Sequence, residues 1–309
     1  MRVRPRDFVS VEEDLYFAVL SGQQDEGRIL TQLRYRRHGS QWIKMDTRSA
    51  ADWIQTQAPD YRFYSREKDI ELHGVAIDKI KAHFCPQKKL GNILSHPTEG
   101  ILHRKIFDWV GALSQLGIAK DHLGITGSVL IGAEGCESDL DFVIYDSSTF
   151  HGVRKAIKQL QSAGIFDSLD TADWKQAYER RGCDLDFKTY LFHEQRKFNK
   201  GVYQGTKFDL TLVTKQKKRP LPSTKMGQLR LVARVIDSSE SFAYPSVYRI
   251  EHPEIREIHC YTQTYCGQAE QGEWIEVSGI VEQTEDGERR LIVGTSREAL
   301  GEYICVVKP

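Results

Sequence analysis

The first 90 residues carry aromatic and β-branched runs separated by polar breaks, a pattern that predicts strands. Leu15-Tyr16-Phe17-Ala18-Val19-Leu20 and Ile29-Leu30-Thr31-Gln32-Leu33-Arg34-Tyr35 are two such runs, and the stretch Gly22-Gln23-Gln24-Asp25-Glu26-Gly27 between them predicts a polar loop joining paired strands. Helical spacing first appears at Thr47 to Gln57, with Thr47 or Ser49 as cap and Ala58-Pro59 as stop. It returns where Ile101, Ile106, Trp109, Val110 and Leu113 form one apolar stripe. Val153 to Ala163 repeats it, with Ala156, Ile157 and Leu160 inward, charged residues outward and Gly164 as the stop. Ala172 to Arg181 reads as a charged helix. Past residue 224 the helical period is almost lost, and Leu229 to Ile236, Trp274 to Val281 and Arg289 to Gly294 predict short strands.

These textures divide the chain into three parts and predict an α+β fold. A small β-rich α+β module spans 1–90, a mixed-sheet domain with helices spans 91–214, and a β-rich, barrel-like domain of the OB type spans 225–309. Residues 215–224 have linker composition, since Lys215-Gln216-Lys217-Lys218-Arg219-Pro220-Leu221-Pro222 combines like charges with prolines that oppose compact packing. Lysine plus arginine and aspartate plus glutamate both number 43, so any nucleic-acid-binding surface must be a local one. The start of the chain lacks the apolar core of a signal peptide and no segment approaches the length of a membrane helix, which predicts a cytosolic chain. Six scattered cysteines without a C-x-x-C pair predict free thiols rather than zinc ligands or disulfides.

The chemistry concentrates in Gly124-Ile125-Thr126-Gly127-Ser128 and, after a short polar loop, Ser138-Asp139-Leu140-Asp141-Phe142-Val143-Ile144-Tyr145. Carboxylates two residues apart on an extended segment point to the same side, so Asp139 and Asp141 can share cations. The Gly127-Ser128 turn offers backbone N–H groups and a hydroxyl with which to cradle phosphates. This constellation resembles the DNA polymerase beta-like nucleotidyltransferase superfamily, whose signature is a hydrophobic residue, Gly, Gly or Ser, roughly ten residues, then Asp, hydrophobic, Asp or Glu, hydrophobic. Thr126 in the hydrophobic slot is the one departure. More loosely, Arg4-Pro5-Arg6-Asp7-Phe8-Val9, the block 124–132 and Lys197-Phe198-Asn199-Lys200-Gly201-Val202 resemble a group of predicted nucleotidyltransferases common in archaea.

The resemblance implies a third carboxylate on a neighbouring strand, and Asp209, early in the strand-like Lys207 to Val213, is the choice. Asp184 and Asp186 repeat the D-x-D pattern without a preceding Gly-Ser and read as solvated or structural, next in line should Asp209 fail. Lys200 and Lys207, with Lys197, would bind the triphosphate or simply form a solvated loop. The alternation of Arg2, Arg4 and Arg6 suits a phosphodiester backbone or a protected sheet edge equally. His96 and His103 read as surface or capping residues, while Trp42, Trp53, Trp274, Tyr35, Tyr61 and Tyr64 read as core more than as platforms for bases.

What the resemblance implies is two Mg²⁺ ions held by Asp139, Asp141 and Asp209, phosphates held by Gly127 and Ser128, and an NTP, with ATP the first choice, as substrate. Three acceptor classes stay open. One is template-independent addition to an RNA 3′ end, the second is adenylyl or uridylyl transfer to a protein or small molecule, and the third is a silent nucleotide-binding regulator. Loss of the third acid would mark the last of these.

Overall fold

The computed structural model of the protein describes residues 1–12, 14–65, 70–97, 100–214, 223–295 and 299–307. Along the chain lie β1 (Phe8–Ser10), β2 (Leu15–Asp25), β3 (Arg28–His38), β4 (Gln41–Lys44), α1 (Thr47–Gln57), β5 (Arg62–Ser65), β6 (Ile70–Ala76) and β7 (Ala82–Phe84). Then come α2 (Pro86–Ser95), α3 (Ile101–Gln115), β8 (Leu123–Ile125), α4 (Gly127–Ile131), β9 (Leu140–Ile144), α5 (Ser147–Ser162), α6 (Thr171–Arg181), α7 (Phe187–Lys197), β10 (Lys200–Tyr203) and β11 (Thr206–Leu212). The remaining strands are β12 (Ser223–Glu240), β13 (Ser246–Glu251), β14 (Glu257–Cys260), β15 (Trp274–Thr284), β16 (Arg289–Val293) and β17 (Tyr303–Val307). The fold is α+β. It forms two compact units, Met1–Tyr145 with Gln204–Gln216, and Asp146–Tyr203 with Lys217–Pro309. This grouping does not follow the three consecutive segments drawn from texture, because the N-terminal module and the motif-bearing strands share one unit. Of the expected linker, residues 215–222 lie outside the described residues and 223–224 open β12.

In the first unit, an antiparallel sheet runs β5-β6-β3-β2-β1-β7, with β4 on β3. Alternation along its strands gives it two apolar faces. Val9, Phe17, Val19 and Leu33 pack against Ala50 and Ile54 of α1, whose cap is Asp46, accepting the Ser49 amide at 2.9 Å. Phe8, Tyr16 and Tyr35 on the other face pack against Leu130 and Ile131 of α4. The polar stretch 22–27 is mostly strand rather than loop. Asp25 pairs with Arg28 and only Glu26 and Gly27 turn, both at positive φ (46° and 76°), the geometry that matches the twist of a tight hairpin.

The unit's other strands place β9 between β8, antiparallel to it, and β11, parallel to it. Parallel neighbours need a long crossover. Here that crossover is the excursion of the chain through α5, α6, α7 and β10 in the second unit. Helix α3 covers one face of these strands, with Trp109 stacked on Phe142 at 3.9 Å and 14° and edge-on to Phe208 at 5.6 Å. Its stripe keeps Ile106, Trp109, Val110 and Leu113 inside, but Ile101 is 80% exposed in the first turn and His103, read as a surface or capping residue, is buried.

In the second unit, Asp146, Asp170 and Asp186 each cap a helix by accepting the amide three residues on. Its sheet pairs β12 with β13 and β15, β13 with β14, β14 with β16 in parallel, β16 with β15, and β15 with β17. Tyr248, Ile258, Ile275, Val277, Leu291, Val293 and Ile304 fill its core. The predicted strands at 229–236, 274–281 and 289–294 are present in β12, β15 and β16, and β12 is far longer than its apolar run. All six cysteines are free, and no described helix is long and apolar enough to cross a membrane.

Candidate active site

The site is assembled where β8 ends and β9 begins. Thr126 donates its amide to the Asp141 carbonyl at 2.8 Å, extending the β8–β9 ladder by one bond. Gly127 then turns the chain with φ of +68°, and a Cβ built there would lie 2.1 Å from Asp141 Oδ2. Glycine is thus required because the Asp141 carboxylate fills the space a side chain would need. The expected reason, close approach of a phosphate, is separate from this one.

The connector that follows is pinned across its ends. Gly132 terminates α4 in the left-handed conformation, and the Ser128 hydroxyl donates to that of Ser138 at 3.1 Å, which also accepts the Gly135 amide at 2.9 Å. The ten-residue spacing is therefore one short helix and one return loop.

Alternation on β9 and β11 sorts their side chains. Phe142 and Phe208 face Trp109, while Asp141 and Asp209 lie in direct register on the opposite face, with Lys207 two residues before Asp209 on that face. Burial, then the charge of Asp209 and to a smaller degree that of Asp139, push the Asp141 carboxyl up to about 6, against the pull of Arg6 and Lys44. Asp139 itself is exposed, one residue ahead of the strand. The structure thus brings Asp139, Asp141, Asp209, Gly127 and Ser128 into one neighbourhood. It does not draw three acidic, imidazole or thiol groups into a ready metal cage anywhere among the described residues. The donor set is nonetheless carboxylate oxygen carrying mutually repelling charge, which fits a hard divalent cation.

Lys200, expected at the phosphates, already has a carboxylate partner. It lies in the second unit, where its ammonium is paired with Glu194, itself also bound by Lys197 at 2.5 Å. Lys197 is 2% exposed and further donates to the Thr264 carbonyl at 3.1 Å. Burial raises the Glu194 carboxyl, but the two ammonium groups outweigh it and hold it at about 2. Asp184 and Asp186 are structural, as expected: Asp184 accepts the Gly301 amide at 2.6 Å and Asp186 caps α7.

Three neighbours were not legible as site residues. Tyr35, on β3, is buried and shares a hydrogen bond with the Ser128 hydroxyl; burial, then the Asp141 charge, raise its phenol. Arg6 and Lys44 act electrostatically on Asp141 from the N-terminal sheet region. A signal existed only for Arg6, in its alternation with Arg2 and Arg4.

No protein-family profile matches the chain. An uncharacterized protein of Methanocaldococcus jannaschii, MJ1086, is 30% identical over 338 aligned positions that cover 99% of each chain. The chain belongs to the same family. The likeness spans the sequence of both units.

Proposed function

We propose that this protein is a Mg²⁺-dependent nucleotidyltransferase of the polymerase beta type. It would move a nucleoside monophosphate from an NTP, ATP first, to a hydroxyl acceptor. The reading is carried by one observation: the Asp141 carboxylate lies directly beneath the Gly127 turn and in register with Asp209. Such an arrangement sets acidic oxygens against a turn able to meet phosphates.

In the reaction the acceptor oxygen bonds to the α-phosphorus, the α–β bridging bond breaks, pyrophosphate leaves and the acceptor proton passes to solvent or a carboxylate. Asp139, Asp141 and Asp209 would hold the Mg²⁺ ions, which when bound supply charge neutralisation of the phosphates and a more acidic acceptor hydroxyl. Asp209 would lie on the acceptor side, and its presence favours an active transferase over a silent nucleotide binder. Gly127 N–H, Ser128 Oγ and Lys207 would orient the triphosphate.

Support for RNA as the acceptor comes from the second unit. Strands β12, β13, β14, β16 and β15 pair in sequence and β15 returns to β12, with β14 and β16 parallel. This pairing order supports reading the sheet as a barrel of the OB type, a recurrent oligonucleotide-binding architecture. Incubating the protein with Mg²⁺ and each α-labelled NTP against RNA, DNA and protein extract tests the whole reading. Label in the RNA pool is expected; label in protein alone would move the acceptor to the second class, and nucleotide binding without pyrophosphate release would leave a regulator.

A further inference from the structure

Arg6 has an unusual backbone. Its φ is +75°, a left-handed conformation that costs a non-glycine residue about 1 kcal/mol and persists only where surroundings impose it. The surroundings do so here: its amide donates to the Val19 carbonyl at 3.0 Å, and its carbonyl accepts the Thr126 hydroxyl at 2.7 Å. The buried Asp7 carboxylate braces the same turn by accepting the Arg4 amide at 3.0 Å, and is itself held by His83 at 2.7 Å. Thr126 therefore grips the backbone of Arg6 with its side chain and that of Asp141 with its amide. The residue that departs from the superfamily signature is the fastener between the start of the chain and the catalytic turn.

Lys44 arrives by a second route. It is the cross-strand partner of Tyr35 on β3 and β4, so the two side chains share a face, and the Tyr35 hydroxyl meets Ser128. Both cations are thus tethered to the Thr126–Ser128 turn. Both are exposed, and neither makes an ion pair or a side-chain hydrogen bond among the described residues. Arg4, by contrast, is spent on Gln87 at 2.8 Å and on the Tyr145 ring. Two cations act electrostatically on the Asp141 carboxylate with no ion pair to it, an arrangement that leaves their donors for an anion lying between.

We propose that Arg6 and Lys44 are the cations that bind the β- and γ-phosphates of the incoming nucleoside triphosphate, and that Thr126 and Tyr35 hold them in position. The inference rests on the nucleotidyltransferase reading and adds to it where the triphosphate lies. Guanidinium and ammonium groups are suited to phosphate oxygens, and their attachment to the turn rather than to the Asp209 strand selects the leaving-group end of the nucleotide.

The test is equilibrium binding of N-methylanthraniloyl-ATP with Mg²⁺ to the full chain, competed by ATP, AMP and tripolyphosphate, with melting curves as the folding control. Arg6→Gln and Lys44→Gln should each weaken ATP and tripolyphosphate about tenfold and the double variant roughly a hundredfold. AMP, which lacks the phosphates in question, should compete almost unchanged. Arg6→Lys should restore part of the loss, and Thr126→Val, which frees the Arg6 carbonyl, should mimic a weaker Arg6→Gln. Wild-type ATP affinity in the double variant overturns the assignment while leaving the parent reading intact. Equal weakening of AMP and ATP overturns it too, since that marks a general structural role. Failure of the wild-type protein to bind any triphosphate removes both.

Discussion

Asp141 and Asp209 stand directly opposite each other on the neighbouring parallel strands β9 and β11. Like charges so placed repel, and that repulsion is part of what lifts Asp141 to about 6. Asp209→Asn should therefore stabilise the fold, by roughly 0.5 kcal/mol in urea denaturation, while reducing nucleotide transfer at least about a hundredfold. An unstable variant, or one with full activity, would remove Asp209 from the site.

Asp139→Asn and Asp141→Asn should each abolish transfer of label with the circular dichroism spectrum preserved. Unchanged turnover in either variant would refute its assignment as a metal ligand.

Gly127→Ala places a methyl where Asp141 Oδ2 lies and forces alanine into a left-handed conformation. Two costs are superposed, and a double-mutant cycle separates them. Against the Asp141→Ala background the steric part vanishes and about 1 kcal/mol of backbone cost should remain. Equal destabilisation in both backgrounds would show that the carboxylate does not occupy that space.

Acid should unfold the protein in a defined window. Burial holds both His73 and His193 at about 4, below the 6.5 of an exposed imidazole, the latter with help from the Lys197 charge. The folded form resists protonation that the unfolded chain accepts, so stability present above pH 6.5 is lost as the pH falls toward 4, by at most about 3 kcal/mol per imidazole. Glu194, depressed to about 2, extends the loss from pH 4.5 downward. Denaturation midpoints measured from pH 7 to 4 should fall with this slope, and His73→Gln and His193→Gln should each flatten it.

The buried pairs of Lys197 and Lys200 with Glu194 make a contrasting forecast. Lys197→Met leaves a buried carboxylate short of one partner and should cost about 3 kcal/mol. Neither Lys197→Met nor Lys200→Met should change the KM for the triphosphate at temperatures where the variant is folded.

Much of the site was legible because it is local. Asp139 and Asp141 are two residues apart, Gly127 and Ser128 lie one connector upstream, and Asp209 announced itself by the alternation Phe208, Leu210, Leu212 around it. Helix α1 was readable to the residue because its period and its stop are both written in adjacent positions, although Asp46 rather than Thr47 or Ser49 supplies the cap. What escaped depends on residues far apart. Nothing linear ties Thr126 to Arg6, 120 positions earlier, or pairs Lys200 with Glu194 instead of a phosphate. Strands β13, β14 and β17 were missed since each is short and takes its pairing from partners distant in the chain.

The parallel pairing of β9 with β11 also dictates an order of events at the ribosome. Asp141 is made more than sixty codons before Asp209, and most of what is synthesised in between, Asp146 to Tyr203, belongs to a different folding unit. A nascent chain therefore carries half of its acidic pair with no opposite number, and only on completing β11 does it acquire the groups that reading of the site requires.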